Sequence, residues 1–333
     1  MKFTFTLFML SCSFAFPFCK KTESKNTLGK FPLCEPSAAV SITCPDDHSK
    51  ACILVGDNEI KNKLFYFPIK SEKLETKKQM VLPLDGFEIQ DIESITQSDK
   101  NNFLIFGSHS RNKKCKIKKS RLRFAYVRIS ENGLKLNKFV QTKSIKSINL
   151  FDSIQDSNNP FLEKVKTVID NSEIAANKSE GNEEECKKVN SFNIEGSIYI
   201  QDNYWIGLRS PLVEWKGKKY AILLKLRNLD KLNFDATILL DLEGRGIREL
   251  STNGVFMYGI AGGPEDGKNN FVLWKLPLSS LKKNAILKPT ILKNLPKSSE
   301  GLAFHNSTIF ILIDGDKGKN RCKKPGKFIS IHN

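Results

Sequence analysis

The chain has 333 residues, 40% of them hydrophobic and 27% charged, which is enough apolar material for a core of domain size. Lys and Arg number 53 against 36 Asp and Glu, a formal net charge of +17. So basic a chain suits an anionic partner. Its lysines are scattered, however, with short clusters at residues 113–119 and 323–327 and no aromatic interleaving, and this argues against nucleic acid.

Residues 1–19 read as an export signal. Lys2 is followed by a Phe-rich apolar stretch over residues 3–18. That stretch is shorter than the roughly 20 apolar residues a membrane span needs. It ends at Cys19, and residues 20–36 continue as a polar tether. A cysteine between an apolar run and a polar linker follows the pattern of a bacterial lipoprotein signal. Cys19 would then be the lipidation site and the link to the membrane of the cell envelope. Phe16, Pro17 and Phe18 depart from the small residues such a signal prefers. The alternative is ordinary cleavage after Ala15, with Ser13 and Ala15 as the small pair, giving a secreted or periplasmic soluble protein.

Apart from Cys12 and Cys19, six cysteines remain: Cys34, Cys44, Cys52, Cys115, Cys186 and Cys322. An even number in an exported chain implies up to three disulfides, whose pairing the spacing leaves open. No CxxC occurs and no cysteine is spaced to share a metal with histidine, so zinc loses support.

From residue 37 onward one grammar recurs. A polar strand start leads through a turn to an apolar strand, a loop and a further strand. Copies fall at residues 91–129, 193–226, 246–276 and 299–331, with a weaker one at 40–69. Short β-rich runs at this spacing predict an all-β repeat fold, a β-propeller of five or six blades over residues 37–333. Residues 131–190 interrupt the pattern as one partly helical insertion. Leu162, Val165 and Ile169 sit at helical spacing within 154–169, and the acidic run 177–185 reads as a flexible excursion.

In a propeller the first strand of each blade lines the central channel. The strand starts therefore aim Glu93, Glu195, Arg248 and Glu300 at one end of it, and the next strand and loop bring His109, Arg111, Arg209, Asp314 and Asp316 nearby. Arg111, Arg209 and Arg248 suit a phosphate or carboxylate, held by bidentate bonds with Glu93 beside them. Glu195 and Glu300, with His109 as proton shuttle, suit acid–base catalysis, and the carboxylates could hold a hard cation such as Ca²⁺. Asp314-Gly315-Asp316 is a fragment of a Ca²⁺ loop without its remaining ligands. The opposing interpretation is that the Arg–Glu pairs lock neighbouring blades together. Walker, GxGxxG, HExxH and GxSxG patterns do not occur in the sequence.

Four segments carry a family resemblance: Ile194-Glu195-Gly196, Ile206-Gly207-Leu208-Arg209-Ser210-Pro211, Gly246-Ile247-Arg248 and Gly263-Pro264. Together they resemble a bacterial β-propeller family classed as a domain of unknown function, and more distantly the esterase-like phytase propellers. The resemblance implies a fold and leaves activity open. The expectation is an exported, lipid-anchored propeller that binds an anionic small molecule or an envelope component. The alternatives are a Ca²⁺-dependent hydrolase of phosphoesters or similar anionic substrates, and a purely structural envelope protein.

Overall fold

A computed structural model describes residues 25–99, 101–130, 133–141, 160–229, 233–264, 270–315 and 322–332. The signal segment with Cys19, residues 20–24 of the tether, and Asp316 lie outside the described residues; the rest of the tether is described, and its Asn26–Thr27 pairs with Lys327–His332, so the propeller begins before residue 37.

Among the described residues five sheets form, antiparallel apart from one edge strand, and each is a blade. Blade 1 is built from Pro36–Thr43, Ala51–Asp57, Lys63–Lys70 and Met80–Pro83. Blade 2 follows with Ile92–Gln97, Asn102–Gly107, Arg123–Ser130 and Gly133–Gln141. Blade 3 contains Asn193–Ile200, Asn203–Ser210, Lys218–Asn228 and Asn233–Leu240, with Ala285–Leu287 added in parallel at its outer edge. Blade 4 contains Gly246–Thr252, Phe256–Gly262, Phe271–Pro277 and Thr290–Leu295. Blade 5 takes three strands from the C-terminal end, Ser299–His305, Thr308–Ile313 and Lys327–His332, and its fourth, Asn26–Thr27, from the other end of the chain.

The inner strands of the blades touch in ring order, and blade 5 returns to blade 1. Apolar side chains follow the same order, gathering into five clusters, one between each pair of neighbouring blades. The period of two in a strand explains how one strand serves two clusters. In Ala51–Asp57, Cys52 and Leu54 face blade 2 while Ile53 and Val55 face blade 5. The near-continuous apolar runs are therefore strands buried on both sides.

Two features of the interruption differ from expectation. Gly133–Gln141 pairs with Arg123–Ser130 as the outer strand of blade 2, so the propeller extends into the stretch read as insertion. The rest supplies no sixth sheet among the described residues. It supplies helix α1, Pro160–Lys178, whose Val165 and Ile169 pack into the cluster between blades 2 and 3. The acidic run is ordered as well. Asn182 accepts hydrogen bonds from the Glu184 and Glu185 N–H groups and so caps a short helix α2, Glu183–Cys186. Three acids in that first turn suit the positive end of the helix. A disulfide from Cys186 to Cys115 fastens α2 to blade 2. Cap and crosslink together override a composition that by itself favours disorder.

The other disulfides are Cys44–Cys52, across the first hairpin of blade 1, and Cys34–Cys322, which joins the two ends of the ring. Among the described residues no helix is long and apolar enough to cross a membrane.

The loops closed by these two bridges differ greatly, at 288 and 8 residues of separation. Chain-entropy reasoning makes the ring-closing bridge worth about 3 kcal/mol more than the hairpin bridge. Urea unfolding of a Cys34→Ser/Cys322→Ser variant is expected to show the larger loss, and a Cys44→Ser/Cys52→Ser variant the smaller. Equal losses would mean that strand pairing alone closes the ring.

Candidate functional site

Every inner strand carries an irregularity near its start. Its register against the next strand shifts at Ser37 in blade 1, Glu93 in blade 2, Glu195 in blade 3, Arg248 in blade 4 and Glu300 in blade 5. A β-bulge leaves one residue unpaired, bends the strand and re-aims a side chain. The five residues thus occupy one structural position repeated around the ring. All are buried. Over them opens a cavity of about 740 Å³, whose lining includes Glu93, Glu195, Glu300, Arg209 and Asp314.

The ion pairs of Arg248 run between blades. Arg248 Nη1 lies 3.1 Å from Glu195 Oε2 and 3.5 Å from Glu300 Oε1, and its Nη2 donates to the Gly263 carbonyl at 2.8 Å. The Phe271 ring lies under its guanidinium, 5.1 Å from centroid to Cζ. Arg209, from the second strand of blade 3, places Nη1 2.9 Å from Glu195 Oε1 and donates through Nε to the Pro264 carbonyl at 3.2 Å. Gly246 makes this approach possible, because a Cβ there would stand 1.9 Å from the Arg209 carbonyl oxygen. Asn193 donates to Glu195 Oε1 at 2.9 Å, while its own Oδ1 is buried without a hydrogen-bond partner.

Glu93 differs from its neighbours. Burial, with the negative charges of Glu195, Asp91 and Glu300, pushes its carboxyl well above the ordinary range, and Arg209 only partly opposes this. With its amide nitrogen turned toward the channel, Asn58 donates to Ser37 Oγ, the Ile92 carbonyl and Glu93 Oε1 at 2.9, 3.0 and 3.2 Å. Glu249, adjacent to Arg248 in sequence, accepts from the Leu250 N–H at 2.9 Å and, across the ring, from the Ala39 N–H of blade 1 at 3.4 Å. Its burial raises it in the same direction. The hydroxyls of Ser94 and Thr96 from blade 2 both meet Ser197 of blade 3, the first at 2.6 Å.

Several candidates are placed elsewhere than expected. His109 is fully buried, edge-on to Phe106 and outside the cavity lining, with Nδ1–H donating to the Gly107 carbonyl at 2.9 Å. Burial pushes it down to about 4, so the ring is held neutral. Arg111 borders the cavity, but its guanidinium turns to the insertion. Nε donates to Glu173 at 3.0 Å, Nη2 to Asn177 at 2.7 Å and Nη1 to the Cys115 carbonyl at 2.9 Å. Glu173 in turn accepts from the Phe192 N–H at 2.9 Å, so Arg111 fastens α1 to the ring. Among the described residues no three His, Cys, Asp or Glu side chains are placed to hold a metal ion. Glu195 and Glu300 are both paired with Arg248.

Sequence reasoning missed Asn58, Asn193 and Glu249, as well as the wall that Cys186, Asn190 and Ser191 contribute. Glu249 had a signal, a second charged residue beside Arg248 in an otherwise apolar strand. The wall had none: Cys186 is brought in by its link to Cys115, and Asn190 and Ser191 by leading into the inner strand of blade 3, where Ser210 donates to the Ser191 carbonyl.

The neutral state of His109 has a pH consequence. Its folded value of about 4 lies below the unfolded value near 6.5, so the unfolded chain binds more protons between them. Stability is full above about pH 6.5 and is lost as pH falls toward 4, by about 3 kcal/mol for the whole shift. In unfolding measurements from pH 7 to 4, His109→Asn, which tolerates the left-handed φ of 55°, is expected to flatten this fall. An unchanged slope would mean that the ring is not protonated on unfolding.

No curated protein matches the chain. Solved structures do, at low similarity. A hydrazine synthase of Kuenenia stuttgartiensis has a TM-score of 0.37 at 9% identity, over 85% of this chain and 57% of that one. The PQQ-bound aldose sugar dehydrogenase of Streptomyces coelicolor gives 0.42 at 10% identity, over 92% and 96%. A GH43_1 enzyme from Xanthomonas citri complexed with xylose gives 0.44 at 7% identity, over 93% and 90%. Likenesses at this level say nothing of what the cavity binds. A family model, by contrast, matches residues 69–300, well over half of the sequence, and the chain belongs to that family, described as Protein of unknown function (DUF3616).

Proposed function

We propose that this protein is an exported β-propeller, anchored at the cell envelope through Cys19, that binds a small polar ligand in the cavity over its channel. The observation that carries the reading is that Glu93, Glu195 and Glu300, the bulge residues of three blades, line one cavity of about 740 Å³, with Arg248 at the same structural position paired to two of them just outside the lining. Cavities of this size commonly hold small ligands. Five sheets contribute to its floor, so the site exists only when the ring is closed, and the rigid scaffold holds it in shape. Three disulfides support an oxidising compartment and therefore export.

A second reading, hydrolysis, is favoured by one observation. Glu93 is held toward its neutral acid form within the same floor as the ion-paired Glu195. An acid and a carboxylate driven apart by their surroundings is a pattern hydrolases use. A phosphoester substrate fits less well, because Arg209 and Arg248 already face Glu195.

Two measurements separate these readings. Purified protein is expected to turn over no member of a panel of phosphate and carboxylate esters, with Ca²⁺ or with chelator. Turnover that disappears in Glu195→Gln while the melting temperature holds would establish the hydrolase instead. In cell fractionation the wild type is expected with the membranes and Cys19→Ser with the soluble fraction. A wild type found wholly in the soluble fraction would replace the anchor with ordinary signal cleavage.

A further inference from the structure

The ligand class follows from how charge is distributed in the cavity, and the inference rests on the cavity being a binding site. The protein as a whole is strongly basic, at +17. Its cavity is not: acidic side chains outnumber basic ones in the lining by seven to five. Glu93 is driven toward its neutral form, and Arg248, just outside the lining, faces Glu195 and Glu300. The two sets then balance. Four of the five lining cations are also engaged, the fifth being the exposed Lys113. Arg209 pairs with Glu195, Arg121 with Asp91 at 3.1 Å, Lys187 with Glu183 at 3.7 Å, and Arg111 with Glu173.

An anion entering here would have to take a guanidinium from a carboxylate that already holds it at hydrogen-bond distance. A cation would have to do the converse, and a zwitterion both. At the Arg209–Glu195, Arg121–Asp91 and Arg111–Glu173 pairs each exchange leaves a nearly buried charge without its partner, which is expensive. An apolar or aromatic ligand finds little to rest on. No described lining residue is aromatic, and the carbon-rich surface comes from Val189, Pro264 and Cys186.

What the cavity offers in quantity is uncharged hydrogen-bonding groups. Asn58, Ser110, Asn112, Asn190, Ser191 and Asn193 line it, in company with Ser210, and the bonds that Asn58, Ser110, Asn112 and Ser210 already make within the protein leave them their remaining donor and acceptor capacity. The buried Oδ1 of Asn193 still lacks a donor. Hydroxyl groups both donate and accept, so a ligand dense in them replaces water bond for bond without disturbing an ion pair. We infer that the cavity binds an uncharged, polyhydroxylated small molecule, a free sugar or the end of a glycan chain, through the amide and hydroxyl walls over the balanced Glu195–Arg209–Arg248–Glu300 floor.

The test uses the folded protein and two charge variants, Glu195→Gln and Glu300→Gln, each checked for wild-type circular dichroism. If Glu195→Gln fails to fold, Glu300→Gln serves alone. The neutral probes are an array of glycans with free glucose, xylose and mannose. The charged probes are inorganic phosphate, succinate and putrescine. Wild type is expected to bind at least one neutral probe, with an affinity that changes by no more than about twofold between low and high salt, and to bind none of the charged ones. Either variant, with a surplus guanidinium, is expected to bind phosphate or succinate at least about tenfold more tightly than wild type. Phosphate, succinate or putrescine bound by wild type in preference to every glycan would overturn the ligand class and leave the cavity as the site. Failure of every probe with wild type and variants alike would overturn the cavity reading and the ligand class with it.

Discussion

The guanidinium of Arg248 is the interaction on which the centre of this molecule depends. It belongs to blade 4, reaches Glu195 of blade 3 and Glu300 of blade 5, and is fixed from its own side by the Gly263 carbonyl and the Phe271 ring. Three sheets that otherwise meet through apolar side chains are joined there by buried charge. Such a group is stable only while its partners are present, because removing one leaves another charge buried alone. The network therefore does more for the register of the blades than for net stability. It also determines what the cavity can accept, since its charges are paired with one another before any ligand arrives.

The rest of the architecture serves to hold that floor. The bulges turn one residue per inner strand out of the pairing pattern, and the five apolar clusters between blades fix the angles at which those residues meet. Ring closure is secured twice, by Asn26–Thr27 pairing into blade 5 and by Cys34–Cys322. The insertion is held by different means, Arg111 gripping α1 and Cys115–Cys186 gripping α2. One wall of the cavity thus rests on a crosslink and an ion pair, while the floor rests on the ring itself.

The ring was legible in the sequence because each blade repeats an apolar middle strand after a polar strand start, and burial on both faces leaves a continuous apolar run where one-sided strands would alternate. The floor was legible for the same reason: Glu93, Glu195, Arg248 and Glu300 stand at equivalent points of the repeat. What stayed hidden depends on contacts distant in sequence. Arg111 looks like a channel residue until Glu173, 62 residues away, is seen beside it. His109 follows a strand end by two residues, yet its positive φ turns it into apolar surroundings. The outer strand of blade 2 falls at the start of residues 131–190, where the sequence repeat is interrupted, and lost its identity to them. The acidic segment 183–186 has the composition of disorder, and only its cap and disulfide show otherwise. The cysteine pairing could not be read at all, because spacing carries no information about which loops the fold brings together.

The central claim is that the floor charges satisfy one another and are not held open for a charged ligand. A double-mutant cycle between Glu195 and Arg248, using Glu195→Gln, Arg248→Met and their combination in urea unfolding, tests it most directly. The account predicts that each single change costs about 3 kcal/mol or more, because it strands a buried partner. The double change should cost less than the sum, with a coupling of about 1–3 kcal/mol. Single changes within about 0.5 kcal/mol of wild type, with no coupling between them, would contradict it and return these side chains to the service of a ligand.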